Sequence, residues 1–182
     1  RYHLYQFWDW TTQEPDEARA ARGHLWGLLF CHDVPIWAAR TPVCVARAIR
    51  ELKWDDQVKF VPYWRKQTGL EVKAAVSPVV ISGWQRGKGN LLVIVMNDSD
   101  QTSRSQVSID FPRFGFKAGE IKCRDYGGAG LGYPDALFNT QGKPEKFMDP
   151  QQLPVQDTVV RSGSAVPVEI GQHSFKLLRF YQ

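Results

Sequence analysis

Cysteine is scarce in this chain. Cys31, Cys44 and Cys123 are odd in number, lack CxxC spacing and each lie in an apolar context. That pattern argues against a disulfide scaffold or a cysteine-based zinc site and predicts buried free thiols. Long apolar runs are missing as well: LWGLLF and LLVIVM fall far short of a bilayer span, and the first twenty residues are too polar and aromatic for a signal peptide. No membrane partner is expected. Nor is there a strong excess of one charge. Lysine plus arginine number 23 against 19 aspartate plus glutamate, a net +4, and these charges are scattered rather than gathered into a run that could track phosphates. No nucleic-acid partner is expected either.

Chemical motifs are thin too. GxSxG, HExxH and GxxxxGK[ST] do not occur, which removes the usual serine-hydrolase, zinc-peptidase and nucleotide-phosphate patterns. YGGAGLGYP, residues 126–134, contains GxGxG, but no helical pattern follows whose N-terminus could receive a phosphate. It reads as the start of a long loop running to about residue 154, with Tyr133, Leu137, Phe138 and Phe147 available for packing. No cofactor and no metal is expected.

What the chain does have is the content of an ordinary globular protein, 43% hydrophobic and 23% charged, divided into two unlike halves. In the first half, residues 1–55, PDEARAARG has proline and acids at its start and glycine at its end, the punctuation of a short helix. His24 to Cys31 is apolar on consecutive positions, which suits a strand covered on both faces, as in a parallel sheet. Thr41 and Pro42 then supply an N-cap and a first-turn proline for a helix carrying Val45, Ile49 and Leu52. A lone parallel strand needs neighbours, so this half is expected to be the terminal βα portion of a larger (β/α)8-like domain, with Arg1 internal to a longer chain. On that expectation His32 and Asp33 lie at the chemically active end of a barrel strand.

The second half, residues 56–182, reads as short strands separated by turns: VKFVPYW, AAVSPVVISGW, LLVIVMN, SQVSIDF, GEIKCRDY, DTVVR, AVPVEI and SFKLLRFY. Val107, Ile109 and Phe111 alternate with Ser108 and Asp110, giving one buried and one wet face. LLVIVM does not alternate and is expected at the centre of a sheet. RGKGN before Leu91 is a hairpin loop. In SFKLLRFY the apolar residues occupy both phases, which requires a bulge or two covered faces. The expected fold class is therefore mainly β, an antiparallel β-sandwich preceded by a short α/β segment that resembles the end of a (β/α)8 barrel.

VKFVPYW, VVISGWQRGKGNLLVIVMND and the closing VEIGQHSFKLLRFYQ together resemble the C-terminal end of bacterial glycoside-hydrolase-like proteins related to family 123. The resemblance implies a barrel followed by an accessory sandwich, with carbohydrate as the substrate of the parent protein and the upstream barrel as the partner of this chain. It also implies that the hydrolytic acidic pair lies on an earlier barrel strand, since no residue here matches that motif. The catalytic residues are thus unassigned within the chain. Asp9, Asp33, Glu51, Asp55 and Asp56 are carboxylates by type only, and Asp55-Asp56 after a helix reads as solvated linker.

The candidate substrate-binding residues are Trp8, Asp9, Trp10, His32 and Asp33. Two tryptophans flanking a carboxylate can stack on a pyranose while the acid takes its hydroxyls; the plainer reading of FWDW is core packing. His32 and Asp33 can hold sugar hydroxyls if the strand ends at an active face, but adjacent residues of an extended chain point to opposite sides. In the alternative reading, a free-standing carbohydrate-binding sandwich, the stacking candidates are Tyr63, Trp64 and Trp84, whose apolar neighbours favour burial. Asn97-Asp98-Ser99 is a formal glycosylation sequon.

Overall fold

A computed structural model describes residues 16–34, 42–128 and 154–182, with side chains described from Gly23 onward. Trp8, Asp9, Trp10, Thr41 and most of the glycine-rich loop lie outside the described residues.

The segment expected to be a buried strand is a helix. Helix α1 spans Asp16–Cys31, so the short helix anticipated to stop at Gly23 runs on through the whole apolar segment. Its buried positions are Gly23, Trp26, Gly27, Phe30 and Cys31, the three-four spacing of a helix face. Leu25, Leu28 and Leu29 fill the flanks and hide that period, because a continuous apolar run fits a covered strand equally well. Glycine at position 27 is a packing requirement. A Cβ there would sit 2.6 Å from the Met96 sulfur and 2.8 Å from the Phe175 ring, so α1 rests directly on the sheet beneath it. The correction has a consequence: the unpaired parallel strand that demanded upstream neighbours does not exist, and the apolar face of α1 is covered within this chain.

Helix α2, Val43–Leu52, follows the expected pattern to Leu52 and buries Val43, Cys44, Val45, Ala48 and Leu52. Both helices close on left-handed residues, Asp33 and Lys53, whose following amides turn back to helix carbonyls: Val34 N to Leu29 O at 3.0 Å and Trp54 N to Ile49 O at 3.2 Å.

Among the described residues nine strands follow: β1 Val58–Val61, β2 Leu70–Ala74, β3 Val79–Arg86, β4 Asn90–Asn97, β5 Ser103–Ile109, β6 Glu120–Gly128, β7 Gln156–Arg161, β8 Val166–Ile170 and β9 Ser174–Tyr181. They form a six-stranded sheet in the order β1-β3-β4-β9-β6-β7 and a three-stranded sheet β2-β5-β8, antiparallel throughout. The chain is therefore mainly β, with antiparallel sheets as its composition and turns predict. The RGKGN hairpin joins β3 to β4 through Gly87 and Gly89, both at positive φ.

The six-stranded sheet is covered on both faces, which explains the two strands without alternation. On β4, Leu91, Val93 and Val95 face the smaller sheet while Leu92, Ile94 and Met96 face the helices. On β9, Leu178 and Phe180 take the first side and Phe175 and Leu177 the second. The bulge allowed for β9 falls on its neighbour β6, between Asp125 and Gly127. The result is three layers, helices on a sheet on a sheet, with one apolar core on each side of the central layer.

Asn97 ends β4 fully buried. Its side-chain amide donates to the carbonyls of Gln101, Ile170 and Gly171 at 2.7, 3.2 and 2.9 Å. The formal sequon is thus a structural clamp in the folded protein.

Candidate functional site

Aromatic residues accumulate where α1 ends over β1 and β3. Trp84, on the helix-facing phase of β3, is fully buried and stacks on Phe30 of α1 with ring centroids 4.1 Å apart. Phe60 of β1 and Trp54, just past α2, each lie 5.5 Å from the Trp84 ring. From this floor the cluster continues outward: Phe60 meets Trp64 at 5.7 Å, and Trp64 meets Tyr63 edge-on at 5.1 Å. Trp64 is 53% exposed, Tyr63 beside it is exposed as well, and Trp54 is exposed where it meets Trp84.

His32 and Asp33 belong to this cluster, in a different role from the one their neighbours in sequence suggested. They sit in the turn that closes α1, not at the end of a strand, and Asp33 adopts the left-handed conformation with φ 57°. The His32 Nδ1–H donates to the Leu28 carbonyl at 2.7 Å, which leaves Nε2 to accept the Tyr63 hydroxyl at 3.1 Å. Its ring lies against Trp64, 5.5 Å between centroids and 19° between planes. His32 is therefore a prop that fixes Tyr63 and Trp64. The Asp33 carboxylate accepts the indole N–H of Trp84 at 2.9 Å, satisfying the one polar atom of an otherwise apolar buried ring. Beneath it, Ser82 takes a long bond from the Cys31 thiol at 3.5 Å and accepts the Tyr63 amide at 3.1 Å, tying the start of the exposed loop to β3.

Three of the four tryptophan and tyrosine positions here divide as their exposure dictates. Burial, favoured for all three stacking candidates by their apolar neighbours, holds for Trp84, which is core, and not for Tyr63 and Trp64, which are exposed. Trp54 has no distinguishing signal in the sequence; it is exposed because it follows the left-handed cap of α2, where the chain leaves the helix for the surface. Trp8, Asp9 and Trp10 lie outside the described residues.

Carboxylates gather at a second place, under α2. Glu51 accepts from Arg47 at 2.8 Å, Arg124 at 2.8 Å and the Tyr126 hydroxyl at 2.6 Å. Arg124 also forks onto Asp157 at 2.7 and 2.6 Å. Burial on its own would raise the Glu51 carboxyl, but the hydrogen bonds from Tyr126, Arg47 and Arg124 outweigh it and hold the group below the usual carboxylate range. The Arg124 hydrogen bonds likewise depress Asp157 against a smaller opposing effect of burial. Glycoside hydrolysis needs one of two carboxyls protonated near neutral pH. Here both carboxyls are held low, Glu51 by Tyr126, Arg47 and Arg124 and Asp157 by Arg124, which does not match that pattern. Asp55 and Asp56 are exposed in the segment between α2 and β1, as a solvated linker should be, and Asp55 also accepts Arg86 at 2.6 Å and caps the turn into β1 through the Gln57 amide.

The cysteines are buried free thiols as their contexts predict. Burial pushes Cys31 up to about 11 and Cys44 and Cys123 to about 12, far from a reactive thiolate at neutral pH. Among the described residues no helix is long and apolar enough to cross a membrane. No protein-family model and no curated protein matches this chain.

Proposed function

We propose that this chain is the sandwich module of a glycoside-hydrolase-like protein and that it contacts carbohydrate through the aromatic face built on Trp64. The observation that carries the reading is the exposure of Trp64, Tyr63 and Trp54 on a rigid floor of buried rings. An indole face held by neighbours loses little entropy on meeting the apolar face of a pyranose, and the adjoining polar groups suit its hydroxyls. The resemblance of VVISGWQRGKGNLLVIVMND and the closing strand to glycosidase accessory sandwiches supports the substrate class. Nothing in the carboxylate chemistry of the described residues supports hydrolysis by this chain itself.

A second reading is favoured by the same exposed aromatic residues: the face is seated on a catalytic barrel that lies mostly outside this chain, and the module stabilises that barrel. With α1 a helix, no unpaired strand calls for an upstream barrel, and the family resemblance alone supports one.

Titration of the purified protein with a panel of soluble polysaccharides, followed by tryptophan fluorescence, tests the first reading. Saturable binding that Trp64→Ala abolishes, with the unfolding midpoint shifted by no more than the equivalent of about 1 kcal/mol, is the expected result. If no polysaccharide binds, or if Trp64→Ala binds like the parent, the carbohydrate reading fails and the barrel-packing reading takes its place.

A further inference from the structure

About two turns back along α1 from His32, three side chains from distant parts of the chain meet at the far end of the central strands. β4 and β9 pair as far as Asn97 with Ser174, so the next residues outward, Asp98 and His173, are neighbours. Each continues the phase that faces the helices, after Ile94 and Met96 on one strand and before Phe175 and Leu177 on the other. α1 crosses there, resting through Gly27 on Met96 and Phe175, and one turn earlier it places His24 over Asp98. His24 Nε2 lies 2.6 Å from Asp98 Oδ1, and the two imidazole centroids are 4.9 Å apart.

His173 carries the argument. Its Nε2 lies 2.7 Å from Asp100 Oδ1, and because a carboxylate accepts only, Nε2 holds the proton. In the neutral ring that leaves Nδ1 with a lone pair. Nδ1 is buried, has no hydrogen-bond partner and points to within 3.7 Å of Asp98 Oδ1, itself an acceptor. Two acceptors facing each other, one of them closed to water, call for a cation between them. A histidine whose outer nitrogen is fixed by a carboxylate while the inner one is free is also how metal sites set the tautomer of a ligand.

We propose that His24 Nε2, His173 Nδ1 and Asp98 Oδ1 form a site for a divalent transition-metal ion of the zinc class, with Asp100 as a positioning residue for His173. The three ligand atoms lie within 4.8 Å of one another. Bonds of about 2.0–2.2 Å in tetrahedral geometry put ligand atoms about 3.3 Å apart, near the 3.7 Å between His173 and Asp98. The 2.6 Å between His24 and Asp98 widens when the metal replaces the proton they share, which passes to solvent or to the other ring nitrogen. Two imidazoles and one carboxylate select zinc, cobalt or nickel over magnesium or calcium, which prefer all-oxygen shells. The ion would clasp α1 to the turns after β4 and before β9, and its remaining position would take water.

The experiment is titration of tag-free, chelator-stripped protein with Co2+, read by visible absorption, with displacement by Zn2+ and the thermal midpoint followed in parallel. One equivalent of Co2+ with a ligand-field spectrum, displaced by Zn2+, and a rise in thermal midpoint are expected. His173 sits at φ 46°, so His173→Gly removes the ring while keeping the left-handed turn; His24→Gln preserves the helix. Each should weaken binding by more than about 100-fold and Asp100→Asn by about tenfold, all with the parent's circular dichroism. Absence of one-to-one saturation in the parent, or unchanged affinity in both histidine variants, overturns the proposal. So does a metal-free midpoint that falls as pH rises through the histidine range and is unmoved by Zn2+, because the cation among His24, His173, Asp98 and Asp100 would then be a proton.

Discussion

The two covered faces of the central sheet are built from different chemistry. Between the sheets the core is aliphatic and phenylalanine-rich, with Leu91, Val93, Val95, Val107, Ile121, Leu178 and Phe180. Under the helices it holds Trp26, Trp84, Tyr126 and Met96, with polar groups reaching in at the margins: Asp33 to Trp84, Glu51 to Tyr126, Asp98 to His24. The reason is geometric. A second sheet covers its neighbour evenly, strand against strand, whereas two helices leave gaps at their ends and flanks. Large aromatic rings fill those gaps, and where they carry N–H or O–H groups they need partners. The candidate sites of this protein all lie on the helix side for that reason.

Matched substitutions test the contrast. Trp84→Ala and Phe180→Ala each remove a fully buried ring and should each destabilise by about 4 kcal/mol in denaturant titration. Near-ultraviolet circular dichroism should separate them: Trp84→Ala loses the signal of the coupled indoles, while Phe180→Ala retains it under conditions where the protein is folded. Equal loss in both would mean the two faces are one cooperative environment without local identity.

A smaller effect is expected at the polar margin. Glu51→Ala removes the acceptor of the Tyr126 hydroxyl and of one bond each from Arg47 and Arg124, and should cost about 2 kcal/mol at neutral pH. Because Glu51 and Asp157 are held below the usual carboxylate range, their contribution is present above the unfolded-state value of about 4 and is lost as pH falls through the lower folded-state values. The stability gap between the parent protein and Glu51→Ala should therefore narrow from about pH 4 downward, as measured by urea unfolding at each pH. A gap constant across that range would show that the network acts by packing alone.

The smallest expected effect is on thiol chemistry. Cys31 and Cys44 lie in the helix-side core and Cys123 in the other, and all three should react negligibly with a disulfide reagent at pH 8 until denaturant is added. Fast labelling of Cys31 alone would show that the aromatic end opens on its own, making the helix side the weaker face.

Much of the sandwich was legible in the sequence because strand periodicity is local. Alternation in SQVSIDF marks a half-wet strand, its absence marks LLVIVM as central and leaves SFKLLRFY to a bulge or two covered faces; β5 and β4 have the expected environments, and β9 is covered on both faces. His24 to Cys31 was misread for the converse reason: with apolar residues on every side of the last helical turns, neither period stands out, and only the pairs Gly23 with Gly27 and Trp26 with Phe30 hinted at a helix face. His32 and Asp33 accordingly sit at a helix end, which differs from a strand end in what they can touch.

Composition, turn residues and period determined by themselves that this chain makes antiparallel strands, which strands are central, and that its thiols are buried. They could not decide what lies over the central sheet, because coverage by a helix and coverage by a strand remove the same apolar surface from water. Tertiary structure alone decided that Trp84 is floor and Trp64 is surface, and it alone brought His24, Asp98 and His173 together. Those three meet because antiparallel pairing of β4 with β9 and the close seat of α1 on Gly27 fix positions in space that sequence separation does not encode.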